Sequence, residues 1–170
     1  MDPNIQLIAT AVKAWRLTID RTSKTLASFT DDELQLEVAP GKNRLYYLMG
    51  HLAATHDRLF PLLRLGERLH PGLDSQFLES PDRKYLGDEV APAELRSVWS
   101  EVNQKLIEAL DSLQPHEWLQ RHASVSEEDF KKEPLRNRLA VLISRLSHAA
   151  YHEGQMRLVR GSLFSGRRAA

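Results

Sequence analysis

Residues 43–65 read NRLYYLMGHLAATHDRLFPLLRL and contain a nearly continuous apolar stripe. The stripe recurs at intervals of three and four residues, which is the period of an amphipathic α-helix and not that of a strand. Its members are Leu45, Leu48, Met49, Leu52, His56, Leu59, Phe60 and Leu63. We therefore predict a long helix from about Asn43 to Leu65, ended by Gly66.

The same periodicity predicts three further long helices on either side of this segment. They extend from about Asn4 to Ser28, from Pro92 through Leu110, and from about Pro134 to Arg160, where Gly161 ends the last one. Short helices are predicted after Thr30 and at residues 114–119, and a polar loop leads to Glu133. Residues 69–90 contain many turn-forming residues and predict an irregular crossover.

The two halves of the chain echo each other. Each half has a long helix, a short acidic helix, a loop and a second long helix, and the loops lead into Asn43-Arg44-Leu45 and Asn137-Arg138-Leu139. The predicted fold class is therefore all-α: a four-helix bundle of two helical hairpins joined by a long crossover. We expect a single domain over residues 1–170.

Charge and composition exclude several classes of function. The 170 residues include 23 Lys and Arg and 23 Asp and Glu, so the chain lacks the basic surface that nucleic-acid binding requires. The longest stretch without Asp, Glu, Lys or Arg, Leu45 to His56, is too short for a membrane span. The N-terminus has no secretory signal, so we expect a cytoplasmic protein. The absence of cysteine excludes disulfides, thiolate ligands and a cysteine nucleophile.

Two histidines on the predicted fourth helix, His148 and His152, are spaced i, i+4. This spacing places both imidazoles on one helix face, where they can chelate a divalent ion or, alternatively, form hydrogen bonds with neighbouring side chains. The surrounding residues are small and apolar, so we expect this face to be covered and to lie opposite the core stripe. The expected core stripe is Leu139, Ile143, Leu146 and Ala150, and the histidine face includes Val141, Ser144, Gln155 and Val159.

A metal site built on this pair needs a third ligand from another helix. The second helix offers His51 and His56, which lie about 140° apart around the helix axis and are not both expected to reach one ion. Periodicity favours His56, because it lies inside the apolar stripe while His51 lies on its flank. The remaining histidines, His70, His116 and His122, fall in loops or short segments, and we expect them at the surface.

Several catalytic patterns are absent from the sequence. Residue 149 is alanine, so the histidine pair does not form the H-E-x-x-H motif of a metalloprotease. One Glu67-x-x-His70 does not supply the paired motifs of a di-iron carboxylate bundle. There is also no G-x-S-x-G, Walker loop or G-x-G-x-x-G motif. The histidines on the long helices therefore remain the candidate for chemistry.

Two motifs together resemble the DinB/YfiT superfamily: MGHLAATH at residues 49–56 and SHAAYHEGQ at residues 147–155. The resemblance covers nearly the whole chain and implies a four-helix bundle with a metal-binding histidine triad. Transferred to this sequence, the triad is His51, His148 and His152. The resemblance thus makes His51 the metal ligand from the second helix, whereas periodicity favours His56. His56 is then a core residue or supports a ligand.

The resemblance also implies a type of chemistry. Three neutral histidines with one open position are typical of a catalytic site, and the ligands suit either Zn²⁺ or Ni²⁺. Characterised members of the superfamily include transferases and isomerases that use bacillithiol, mycothiol or glutathione. We therefore expect a metal-dependent enzyme that activates a low-molecular-weight thiol, or water, against a small electrophile, with Gln155 and Tyr47 as binding residues. The alternative is a non-catalytic metal-binding or structural stress-response bundle.

The two covered faces expected on the fourth helix also predict self-association. The crossover and the 120–133 loop are rich in charged residues and proline, so they are poor covers for Val141, Val159 and Leu163. The terminal segment LVRGSLF, residues 158–164, adds apolar surface. We therefore expect a homodimer. The alternative is a monomer whose crossover folds over that face.

Overall fold

The computed structural model describes the backbone of residues 2–168 and the side chains of residues 2–161 and 163. Over these residues the chain is helical and has no strand, which confirms the predicted all-α class. The elements are α1 (Pro3–Ala27), a 3-10 helix (Glu33–Gln35), α2 (Leu45–Asp57), α3 (Leu59–Leu62), α4 (Leu73–Phe77), α5 (Pro92–Asp111), α6 (Pro115–Trp118), α7 (Glu127–Lys132) and α8 (Arg138–Arg168). Within the same residues, none of the helices combines the length and apolar character needed to cross a bilayer.

The second long helix is divided at Arg58 into α2 and α3, although the sequence predicts one helix through Leu65. Pro61 accounts for the break, because its nitrogen has no hydrogen to donate to the carbonyl of Asp57. The break leaves the segment with His51 and His56 as one regular helix.

The fourth long helix starts later and continues further than the sequence predicts. It begins at Arg138 instead of Pro134, because the side-chain oxygen of Asn137 accepts a 2.9 Å hydrogen bond from the backbone N–H of Ala140 and caps the first turn. It also continues through Gly161 to Arg168. A glycine costs only about 1 kcal/mol in a helix interior, so it does not end a helix that packs against α1.

The long helices pack mainly in two pairs, α1 with α8 and α2 with α5, and α2–α8 and α1–α5 contacts are smaller. The closest pairs are therefore the first long helix with the last and the second with the third, whereas the hairpin prediction pairs the first with the second and the third with the fourth. The connections at residues 28–44 and 112–137 are long enough to allow this order. The core between the helices includes Trp15, Leu52, Leu106 and Ala149.

The core stripe of α8 differs from the predicted one. Its fully buried residues are Leu142, Ala149 and Met156, which recur every seven residues. Ile143 and Ala150, predicted to be core residues, are exposed. The stripe is thus rotated by about one residue from the predicted position. Consequently, the histidine face borders the core instead of lying opposite to it.

The predicted irregular crossover contains an ordered helix, α4, which packs against α2. Asp57, at the end of α2, is fully buried and accepts hydrogen bonds from the backbone N–H groups of Leu69 at 2.8 Å and His70 at 3.2 Å. These bonds anchor the start of the crossover to the helix that contains His51. The predicted polar loop before α8 likewise contains α7.

Candidate metal centre

Three histidines from two helices converge at the edge of the core: His51 from α2, and His148 and His152 from α8. The Nε2 atom of His148 lies 3.1 Å from that of His51 and 3.2 Å from that of His152. The candidate ligand atoms all lie within 4.8 Å of one another. Nitrogen ligands at about 2.0–2.1 Å from a tetrahedral ion are separated by about 3.3–3.4 Å. The spacing of His148 from both neighbours is therefore close to the spacing that one bound ion would impose.

Oxygen atoms on the far side of two of these rings determine which ring nitrogen carries hydrogen. Nδ1 of His51 is 3.1 Å from the carbonyl oxygen of Phe77, and Nδ1 of His152 is 2.8 Å from Oε1 of Gln155. These oxygens can only accept, so each Nδ1 donates and each Nε2 presents a lone pair to the cluster.

This arrangement favours a cation between the three rings. With all imidazoles neutral, Nε2 of His148 can donate a hydrogen to only one of its two neighbours. The lone pair of the other neighbour then faces this nitrogen at hydrogen-bond distance with no hydrogen between them. A metal ion would accept one lone pair from each of the three Nε2 atoms and satisfy both contacts. The three imidazole donors, and the tautomers set at His51 and His152, therefore fit a divalent metal ion.

The electrostatic environment keeps the three imidazoles in the form that binds metal. Burial lowers the pKa of His51 and of His152. Burial, together with the neighbouring imidazoles and Arg145, lowers the pKa of His148 to about 4. Because metal competes with protons for these nitrogens, a depressed pKa favours binding near neutral pH. All three side chains are only partly buried, so a small molecule can approach them from solvent.

His56 does not reach this cluster. Its side chain is fully buried, and Nδ1 lies 2.8 Å from Oδ1 of Asn103 on α5. Its ring centroid is 4.9 Å from that of Trp15 and 5.3 Å from that of Trp99. This placement agrees with the family resemblance, which makes His56 a core residue, and differs from the periodicity argument, which favours it as a ligand.

The match to a known family covers most of the chain. The family model of the DinB superfamily matches residues 14–156. The chain belongs to the DinB superfamily. This DinB-superfamily chain is also similar to a solved structure described as the conserved protein of locus from Enterococcus faecalis, with 22% identity, a TM-score of 0.57, and coverage of 90% of this chain and 96% of that one. At that identity the likeness shows the fold alone. None of the curated proteins matches the chain.

The other two predicted site residues of this DinB-superfamily protein both contact the triad. Gln155 hydrogen bonds to His152, and its side-chain nitrogen lies 3.2 Å from the hydroxyl of Tyr151. The Tyr47 ring stacks on His51 at a centroid distance of 6.3 Å, while its hydroxyl donates a 2.8 Å hydrogen bond to the carbonyl of Ser80. Both residues thus orient histidines in this structure, and their contact with a substrate stays a prediction.

The histidines predicted at the surface differ in their surroundings. His116 is exposed, and His70 is partly exposed with its Nε2 atom 3.0 Å from a carboxylate oxygen of Glu101. His122 is the exception: its side chain is partly buried, and its Nδ1 atom is buried without a hydrogen-bond partner. The loop position alone gave no sign of this, because α8 lies close to His122 only in the folded chain.

Sequence reasoning missed the part that α4 plays at this site. Phe77, the last residue of α4, supplies the carbonyl that orients His51. Its ring lies against Gly50, where a Cβ atom would collide with it. Glycine next to His51 thus permits the close approach of α4 to α2. Gly50 within the helical pattern was the available signal, since an isolated glycine in a helix often marks a close packing contact.

Proposed function

We propose that this DinB-superfamily protein is an enzyme that depends on a divalent metal ion, Zn²⁺ or Ni²⁺, and activates a low-molecular-weight thiol or water against a small electrophile. The convergence of the Nε2 atoms of His51, His148 and His152 is the observation that supports it most directly. A bound ion would supply Lewis acidity to the thiol or water. Burial favours the neutral imidazoles, and the contacts of the Phe77 carbonyl with His51 and of Gln155 with His152 direct their Nε2 atoms toward one point. We assign this activity to the cytoplasm, where small thiols are kept reduced.

A cavity next to the triad supports a small-molecule substrate. It has a volume of about 460 Å³, and His152, Gln155 and Tyr151 form one side of it. The other lining residues mix apolar and polar side chains: Val38, Ala39, Lys42, Asn43, Leu48 and Leu158. This size and this mixture are typical of small-ligand sites. Gln155 is positioned to hydrogen bond a substrate while it orients His152.

Metal content and thiol turnover together test this proposal. Tag-free protein, reloaded with Zn²⁺ or Ni²⁺, is expected to retain about one ion per chain by mass spectrometry, with metal–nitrogen distances of about 2.0–2.2 Å by X-ray absorption. The loaded protein should conjugate bacillithiol, mycothiol or glutathione to an aryl halide, or hydrolyse an ester. Loss of both ions on desalting would refute the metal site. Stoichiometric metal without turnover would instead favour the non-catalytic metal-binding bundle.

We further propose a homodimer formed through the outer face of α8. The sequence analysis expects Val141, Val159 and Leu163 to be covered by a second copy of the chain. In the structure Val159 is buried, and Val141 and Leu163 pack on the chain's own core, so these three residues do not support a dimer. The structure exposes other apolar side chains of α8 instead: Ile143 is 48% exposed, Tyr151 64% and Leu158 72%. The Phe164 side chain lies outside the described residues.

Light scattering tests the dimer. We expect a mass near twice 19.4 kDa, and the double variant Ile143→Lys/Leu158→Lys should shift it to the monomer, because two charges cannot be buried at a self-complementary patch. The matched control is Leu86→Lys, because Leu86 is fully exposed in the crossover. A wild-type mass near 19.4 kDa at every concentration over a hundredfold range would refute the dimer.

A further inference from the structure

Arg145 lies about one helical turn before His148 on α8. Its side chain is partly buried, and its Nε atom is buried without a hydrogen-bond partner. Among the described side chains, no carboxylate forms an ion pair with it. By contrast, the buried guanidinium of Arg44 pairs with Asp82 at 2.6 Å. Holding an arginine partly buried and unpaired is costly, which suggests that its counter-ion is not part of the chain.

The same arginine lines a second cavity, separate from the one beside Gln155. This cavity has a volume of about 280 Å³ and is lined by Leu62 of α3, His122, and a series of α8 and pre-α8 residues that includes Arg136, Ser144 and Arg145. None of its described lining residues is acidic. His122 adds a buried Nδ1 atom without a partner. The cavity therefore offers two cationic groups, a hydroxyl and an imidazole, all suited to an anion.

The cavity lies beside the histidine triad. Arg145 of the cavity and His148 of the triad are three residues apart on α8, which makes their side chains neighbours on the helix surface. Burial, together with the charges of Arg136 and Arg64, lowers the pKa of His122. No carboxylate belongs to the triad, so nothing in it compensates these charges. An anionic group seated at Arg145 would therefore lie beside the histidines and balance the local positive charge.

We propose that Arg145, with Arg136 and His122, binds an oxyanion group, a carboxylate or a phosphate, of one of the two reactants at the histidine centre, and that the cavity beside Gln155 takes the other. This inference rests on the proposed function and narrows the class of that one reactant to anionic compounds. Arg145 is the main anchor, because its partly buried guanidinium can form bidentate hydrogen bonds with an oxyanion. Arg136 is exposed and contributes mainly charge at the mouth of the cavity.

Anion binding by the metal-free protein tests this site without a contribution from metal coordination. Inorganic phosphate and acetate are titrated separately at constant ionic strength, and binding is followed by amide chemical shifts. We expect saturable binding of at least one anion, with changes in the amide chemical shifts of residues 136–145. The anion that binds more tightly, phosphate or acetate, identifies the class of oxyanion. Arg145→Gln should weaken this binding at least about tenfold, since hydrogen bonds to charged groups contribute about 1.5–3 kcal/mol. Arg136→Gln, at an exposed position, should weaken it less.

The matched control is Arg21→Gln, which removes the same charge from an exposed position on α1 and should leave anion binding unchanged. The Zn²⁺ stoichiometry of Arg145→Gln should also stay at about one ion per chain, because Arg145 is not a ligand. If the wild type binds neither anion, or if Arg145→Gln binds as tightly as Arg21→Gln, the anion site is refuted while the metal proposal stands. If anions bind through Arg145 but the wild type retains no metal, the proposed function fails and the anion site remains.

Discussion

Replacing His51 with alanine is expected to weaken Zn²⁺ binding by more than about 100-fold, the upper range found for residues that only support ligands. The structural reason is that Nε2 of His51 is one of the three ring nitrogens that converge, and α2 supplies no other group to the cluster. Competition with a chromophoric chelator measures the dissociation constant. Circular dichroism should show an unchanged fold, because the His51 side chain is only partly buried.

His56→Ala is the matched variant on the same helix, and we expect the opposite pattern. Metal should stay bound at wild-type affinity, while the free energy of unfolding falls by about 3 kcal/mol, because the change leaves a cavity between Trp15 and Trp99 and removes the partner of Asn103. Urea unfolding measures this loss. Retained metal in His51→Ala together with lost metal in His56→Ala would show that His56 is the ligand, as periodicity suggests.

Along α2, helical periodicity identifies burial correctly but does not distinguish a candidate ligand from a core residue. It placed His56 inside the apolar stripe, and the structure buries His56 completely. The proposed metal site must remain accessible to small molecules, so its histidines are expected at the border of the core, where periodicity is ambiguous. His51 occupies such a border position on α2. Only the motif resemblance, which contains information beyond a single helix, pointed to His51.

The rotation of α8 shows a second limit of sequence reasoning. The stripe Leu139, Ile143, Leu146 and Ala150 and the stripe Leu142, Ala149 and Met156 are both apolar and differ by about one residue. A helix with small or apolar side chains on several faces can pack by either stripe, and its partners decide between them. Here α1 and α2 select the second stripe, so the histidines face α2. The helices were therefore predictable, but the rotation of α8 was not.

The contacts that complete the site come from segments without a periodic pattern. The carbonyl of Phe77 and the cavity at His122 both belong to the crossover and loop regions that the sequence predicts as irregular. Backbone carbonyls leave no signature in a sequence, since every residue has one. The sequence also does not reveal that Arg145 has no carboxylate partner among the described side chains, because this depends on which acidic side chains pack nearby. These features can be identified only in the folded chain.

Acid is expected to destabilise the metal-free protein, with His56 as a major contributor. Complete burial lowers the pKa of His56 to about 3 in the folded chain, from its ordinary value of 6.5. The unfolded chain therefore binds the proton more readily, and the stability that neutral His56 contributes is fully present above about pH 6.5 and is lost as the pH falls toward 3. Over that window, this one proton contributes a slope of up to about 1.4 kcal/mol per pH unit.

His56→Gln isolates this contribution, because glutamine can still donate to Asn103 but does not titrate. The variant should be less stable than the wild type at pH 7, and the difference should shrink toward pH 3, since only the wild type loses stability through residue 56. Urea unfolding in chelator at several pH values measures both curves, and chelator removes any metal that competes with protons at the triad. His116→Gln is the matched control, because it makes the same change in an exposed side chain. A His56→Gln curve that runs parallel to that of the wild type would mean that His56 does not resist protonation in the folded chain.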